Sequence, residues 1–349
     1  MRVVVLGATG NVGTSVIDSL LADSSGHEIV AVARRRPRQL DERISFTAAD
    51  IVTSDLEPIV RGADAVVHLA WLIQPGRDES VTYAVNVTGS ERLFDACAAA
   101  NVPALVYASS IGAYSPGPKD RFVDESWPTE GIRSSFYARH KAAVERQLDR
   151  LERERPRMRV VRIRPALIFK REAATEIRRL FAGPLLPRTL LRPQLIPFVP
   201  DVPRLRFQVV HSLDVGDAFR RALLSDAPGA FNLAADPPIG PEELAELLHA
   251  RRLRLPAALV RGAAAITYRM RLQPTEPGWV DMALAVPLID SGRARRELGW
   301  EPTRSATATL AELITGLRAG SDRDTPPLAR STSGPGRIRE VVTGVGGRG

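Results

Sequence analysis

Apolar positions in the first 170 residues switch between two periods. Arg2–Leu6 is a short β-branched run that stops at Gly7, the pattern of a buried strand, and residues 11–22 carry Val12, Val16 and Leu20 at helical spacing. Glu28–Ala33, Ile44–Ala48, residues 65–69, Ala104–Ala108 and residues 158–163 read as further strands, and residues 80–100 and 134–152 as long helices. Strands separated by helical stretches imply right-handed crossovers, and so an α/β fold with a doubly wound parallel sheet and helices on both faces.

The pattern then changes. Residues 171–206 are rich in Pro, Arg and Leu and read as irregular, the start of a smaller C-terminal α/β lobe; residues 213–225 read as a helix and 230–233 as a strand. The expected division is a main domain over 1–170, with 207–235 returning to it, and a substrate lobe from 171–206 and 236–318. Residues 319–349 are polar and Gly/Pro/Ser-rich and are expected to form a disordered tail.

Composition narrows the class. The 349 residues are 44% hydrophobic and 25% charged, enough for a sizeable core. The single cysteine, Cys97, sits on an apolar helix face and cannot form an internal disulfide, which fits a reducing cytoplasm. Net charge is +8, yet only three of the 48 basic residues are lysine, and the arginines are interleaved with acids rather than aromatics. No nucleic-acid partner is expected. The most apolar stretch, 255–266, is short and broken by Arg261, and the apolar start is too short for a signal peptide, so no membrane segment is expected either. No metal site is expected.

Candidate chemistry begins at Gly7-Ala8-Thr9-Gly10-Asn11-Val12-Gly13, directly after the first strand and opening the first helix. Glycines there let the backbone approach a pyrophosphate, and the helix N-terminus offers free N–H groups. The end of strand two selects the cofactor. A carboxylate would bind the ribose 2′-hydroxyl of NAD, but the position holds Ala33, followed by Arg34, Arg35 and Arg36, whose guanidinium groups suit the 2′-phosphate of NADP. NADP is favoured and NAD stays open. Asp50 and Ile51, after strand three, are placed to flank the adenine.

Tyr137 and Lys141 stand four apart, on one helix face, where an ammonium can lower a phenol's pKa toward a general base. Ser109 and Ser110 follow strand five at the carboxyl end of the sheet, where a hydroxyl can donate to a carbonyl oxygen.

Together these motifs resemble the extended short-chain dehydrogenase/reductase superfamily, specifically the NAD-dependent epimerase/dehydratase family, whose core is a Rossmann-type sheet. GATGNVG, VVHLAW, NVTGS, VYASSIGAY, YARHK, VVRIRPALIF, VVHSLDVGDAF and DSGRARRELGWEP stand in the family's order from residue 1 to about 315. The resemblance implies that Tyr137 is the acid/base, that Ser110 binds the carbonyl with Ser109 beside it, and that Lys141 holds the nicotinamide ribose and lowers the tyrosine pKa. It also implies that Asn86 supports a proton relay, and that Leu69, Ala70, Trp71 and Pro165 lie along the cofactor. A homodimer through the long helices is part of the same expectation.

Three departures bear on the reaction. Ser110 is followed by Ile111-Gly112, where dehydratases of the family carry Asp-Glu. Leu167 stands where nucleotide-sugar epimerases carry an asparagine that meets the diphosphate, and Phe207 where an arginine often lies. These favour a less polar substrate, although Arg188, Arg192, Arg204 and Arg206 leave an anionic one open. The leading expectation is an NADP(H)-dependent reductase or dehydrogenase of a small alcohol/carbonyl pair. A nucleotide-sugar epimerase with tightly bound NAD, and a non-catalytic cofactor-binding regulatory protein, are the alternatives.

Overall fold

The computed structural model describes residues 1–73, 78–182 and 197–329. Arg188 and Arg192 lie outside the described residues, as do positions 330–349. Five strands, β1 (Arg2–Leu6), β2 (Glu28–Ala33), β3 (Ile44–Ala48), β4 (Ala65–His68) and β5 (Ala104–Ala108), join Arg159–Pro165 and Gly229–Leu233 in a seven-stranded parallel sheet. From one edge the order is Gly229–Leu233, Arg159–Pro165, β5, β4, β1, β2, β3. The order reverses between β1 and β4, and ligands of open parallel sheets bind beyond the carboxyl ends of strands at such a point.

Both faces of the sheet are covered, which is why its central strands β1, β4 and β5 are largely apolar. Helix α1 (Asn11–Leu21) and the Ser212–Leu224 helix pack one face through Val16, Leu20, Val215 and Phe219. The Gly89–Ala99 and Phe136–Glu154 helices pack the other through Leu93, Cys97, Val144 and Leu148. Cys97 is wholly buried, and burial raises its thiol to about 12. The expected single helix over 80–100 is divided: Glu79–Tyr83 and Gly89–Ala99 flank a π-helical turn at Ala84–Thr88. There both amide atoms of Asn86 bond the backbone of Leu72, which holds the widened turn against the loop after β4.

A three-stranded sheet of Leu167–Phe169, Phe207–His211 and Ala235–Ile239 begins the smaller lobe, so the chain rejoins the main layer only from the Ser212–Leu224 helix onward. Two sequence expectations need correction. Residues 171–206 are not all irregular: Ala174–Ala182 is a helix, with Ala174, Ile177 and Leu180 on one packed face, and Phe198–Asp201 is a strand paired with Arg251–Arg254. Nor does a disordered tail begin at 319. Residues 321–329 fold back over the main domain, bury Leu328 completely and bind α1 through Arg323 and Asp18. Polar composition describes that segment, but one leucine and one ion pair suffice to dock it.

Candidate active site

The glycine turn has the steric character that a dinucleotide needs. Gly7 has φ +82°, and a Cβ there would lie 2.7 Å from the backbone of Leu69 and Ala70. A Cβ on Gly13 would lie 2.2 Å from the Gly7 carbonyl oxygen. The chain therefore doubles back tightly enough to leave the start of α1 open, and no side chain caps that N-terminus.

Beside the turn lies a cavity of about 710 Å³, within the range of ligand sites. Gly7, Thr9, Gly10, Arg34, Arg35, Asp50, Ile51, Leu69, Ala70 and Trp71 all line it. Arg34 and Arg35 are exposed at the end of β2, while Arg36 lies over the Phe46 ring, 5.8 Å from its centroid. One Asp50 oxygen accepts the Val52 N–H at 2.8 Å. The cavity, the open helix end and the paired arginines suit a phosphorylated dinucleotide, which would be held by this turn and these strand ends.

Other residues expected along the cofactor also make contacts within the protein. Asn11 donates to the Ile168 carbonyl at 3.3 Å and accepts the Lys170 ammonium on its own carbonyl at 2.8 Å, so it ties α1 to the smaller lobe. Val12 packs against the core under the sheet. Pro165 is buried in register with Leu233. Ser109 points inward: its hydroxyl donates to Glu145 Oε1 at 2.5 Å. Glu145 is fully buried between Arg162 and Arg164. Burial alone would raise its carboxyl, but the hydrogen bonds and charges of the two arginines hold it down at about 2.

The reactive set converges beyond the carboxyl end of β5. Ser110 accepts the Gly112 N–H at 3.0 Å, and its hydroxyl acts to lower the pKa of the neighbouring Tyr137 phenol. Gly112 has no side chain to obstruct that ring, since a Cβ there would sit 2.9 Å from Tyr137 Cε1. Trp279 lies against Tyr137 with centroids 5.1 Å apart, Trp71 meets it edge-on at 5.9 Å, and Phe181 meets Trp279 at 5.2 Å. The phenol therefore lies in an aromatic enclosure drawn from both lobes.

Lys141 is held by contacts within the protein. Its ammonium donates to the Ala108 carbonyl at 2.6 Å and the Tyr107 hydroxyl at 3.2 Å, and lies 3.5 Å from the Trp71 ring centroid. Burial pushes Lys141 well below its ordinary pKa, against the pull of Glu145. The ammonium lies 5.9 Å from the Tyr137 ring centroid, and the phenol is raised by burial to about 12, opposed only by Ser110. Asn86, expected in a relay, clamps the backbone of Leu72 through both of its amide atoms. The two arginines offered as anion receptors are also committed: Arg204 donates to the Leu284 and Gly117 carbonyls, and Arg206 to that of Lys119.

The sequence reading missed Glu176, Arg179, Leu180, Pro326 and Pro327, which line the same cavity. The Glu176/Arg179 spacing of three was legible as a helix face, but it lay inside a stretch judged by its proline content. Burial raises Glu176 to about 7 despite Arg179 and Lys170, so it does not carry a full negative charge beside the turn.

A model of the NAD-dependent epimerase/dehydratase family matches residues 3–234. The chain belongs to that family. An uncharacterised Mycobacterium tuberculosis protein is 29% identical over 321 residues, covering 91% of this chain and 30% of the relative, so the chain spans about a third of that relative's length. Short-chain dehydrogenase/reductase family 42E member 1 of Xenopus laevis is 34% identical over 130 residues, 36% of this chain and 33% of its own. Among solved structures, Thermus thermophilus UDP-glucose 4-epimerase with NAD shares the fold at TM-score 0.68 and 20% identity, covering 91% of this chain and 99% of that one. MoeE5 with UDP-glucuronic acid and NAD does so at 0.65 and 19%, covering 92% and 100%. Among the described residues no helix is long and apolar enough to cross a membrane, and no cluster of His, Cys, Asp and Glu could hold a metal.

Proposed function

We propose that the chain is a nicotinamide-dependent reductase of an alcohol/carbonyl pair, with NADP(H) as its preferred cofactor and Tyr137 as its proton donor. The observation that carries this reading is the Tyr137 ring held against Trp71, Trp279 and Gly112 beside Ser110. When bound, the nicotinamide supplies the hydride. Tyr137 keeps its proton up to about 12, the state needed to protonate a carbonyl oxygen as the alcohol forms. Ser110 orients the phenol and is available to the same oxygen. Trp71 and Trp279 pack on the Tyr137 ring, which favours an apolar carbonyl compound. Leu167 is packed with the core of the smaller sheet and offers no donor to a diphosphate. The arginine pair at the cavity and the absence of a carboxylate at Ala33 support NADP over NAD.

A second reading, a nucleotide-sugar epimerase with tightly held NAD, draws on the family and on the UDP-glucose 4-epimerase and the UDP-glucuronic acid complex that share the fold. A cytoplasmic setting is supported by the buried thiol of Cys97. A homodimer through the Gly89–Ala99 and Phe136–Glu154 helices is carried as part of the proposal and is read by size-exclusion chromatography.

The deciding experiment is a screen of nucleotide sugars against apolar ketones and aldehydes, with NADPH and NADH side by side, after dialysis of the purified protein. Turnover of an apolar carbonyl with NADPH by protein that emerges free of nicotinamide supports the reductase. Retained nicotinamide with sugar-nucleotide turnover overturns it.

A further inference from the structure

Residues 321–329 leave the Ala306–Ala319 helix, cross the smaller lobe and reach the mouth of the dinucleotide cavity. The path is fixed at three points. Ser321 accepts the Thr175 hydroxyl on its carbonyl at 2.9 Å and the Arg171 Nε on its hydroxyl at 3.1 Å. Arg323 makes a two-pronged contact with Asp18 of α1, at 2.6 and 2.8 Å. Leu328 is wholly buried, and its N–H and that of Ala329 close a turn on the Thr325 carbonyl. Between these anchors Pro326 and Pro327 face the cavity together with Gly7, Thr9 and Gly10.

We infer that residues 323–328 are part of the cofactor site: a strap, anchored to α1, whose two proline rings form one wall of the dinucleotide groove. This rests on the reading of that groove as a nicotinamide-dinucleotide site. Proline suits the position because it has no N–H to compete with the glycine turn and the α1 N-terminus for phosphate oxygens, and its ring is already rigid. The anchor is on the element whose N-terminus forms the turn, so strap and turn are tied to the same helix. A wall that must move aside before the ligand leaves acts mainly on the dissociation rate.

The test uses the full chain, with Trp71 in the cavity as a fluorescence reporter of NADPH and NADH binding. Arg323→Glu puts two like charges at the anchor. About tenfold weaker binding is expected, most of it as faster dissociation, since a charged pair about one-third exposed is worth less than a buried one. Reversing the pair with Asp18→Arg and Arg323→Glu together restores binding to within about threefold. The double variant Pro326→Gly, Pro327→Gly keeps the anchor and is expected to weaken binding with the melting temperature unchanged. Unchanged affinity in either strap variant, tighter binding on release of the strap, or failure of the charge reversal to restore affinity overturns the strap and leaves the groove assignment standing. Failure of the wild-type protein to bind either dinucleotide overturns the groove assignment, and the strap with it.

Discussion

Replacing Glu145 by alanine is expected to lower stability by about 3–5 kcal/mol, because it leaves a buried guanidinium without its carboxylate. Glu145 is fully buried, and the side chains of Arg162 and Arg164 are 7% and 6% exposed. Arg162 keeps Asp149 and Glu152 after the change, but Arg164 keeps only the Tyr114 hydroxyl and the Glu125 carbonyl. The proton linkage gives a second figure. A carboxyl that titrates at 4.5 when unfolded and at about 2 when folded contributes about 3 kcal/mol, the same size as the mutational range. Its folded value is depressed, so that contribution is complete above pH 4.5 and is lost as pH falls through about 2. Calorimetry at neutral pH is expected to show Glu145→Ala melting roughly 4–7 °C below wild type for a chain of 349 residues. Glu145→Gln keeps the shape without the charge, and its gap from wild type is expected to close between pH 4.5 and 2. A Glu145→Ala protein that melts with the wild type, or a Glu145→Gln gap that is the same at both ends of that window, refutes the reasoning. Ser109 and Lys141 both contact or sense this carboxylate, so the network braces the helix face that carries Tyr137.

Gly13→Ala forces a methyl to 2.2 Å from the Gly7 carbonyl; a loss of about 1–3 kcal/mol in thermal unfolding and abolished dinucleotide binding by calorimetric titration are expected. Substituting Arg34 and Arg35 by alanine is expected to weaken NADPH by about tenfold while NADH changes little, and equal losses for both would count against a 2′-phosphate contact. Because Tyr137 holds its proton up to about 12, the rate of carbonyl reduction is expected not to lose its proton donor as pH rises through neutrality; a steady-state profile falling with a midpoint near pH 7 would contradict that assignment.

The central sheet was legible because strands buried on both faces by crossover helices carry runs of apolar residues, as in the Val3–Val5 run and residues 65–67. The glycine turn was legible because its position between strand and helix is local. What the sequence could not show were placements set by distant partners. Asn86 reads as a helix asparagine, but its role depends on Leu72, 14 residues away. Ser109 and Ser110 are adjacent, yet a buried carboxylate at Glu145 claims the hydroxyl of one while the other accepts the Gly112 N–H beside Tyr137. Lys141 stands one turn from Tyr137, as expected, but spacing gave no account of the Ala108 carbonyl and the Trp71 ring that claim its ammonium. The docked tail was hidden because a polar average conceals the one residue, Leu328, that finds a core.

The measurement that bears most directly on the account is single-turnover oxidation of bound NADPH by a carbonyl substrate found in the screen, in wild type and in Tyr137→Phe. Loss of one hydroxyl is expected to leave dinucleotide affinity unchanged, since the phenol does not line the cavity, and to slow the turnover about a hundredfold to ten-thousandfold. A Tyr137→Phe protein that oxidises NADPH at the wild-type rate would contradict the assignment of Tyr137 as the proton donor.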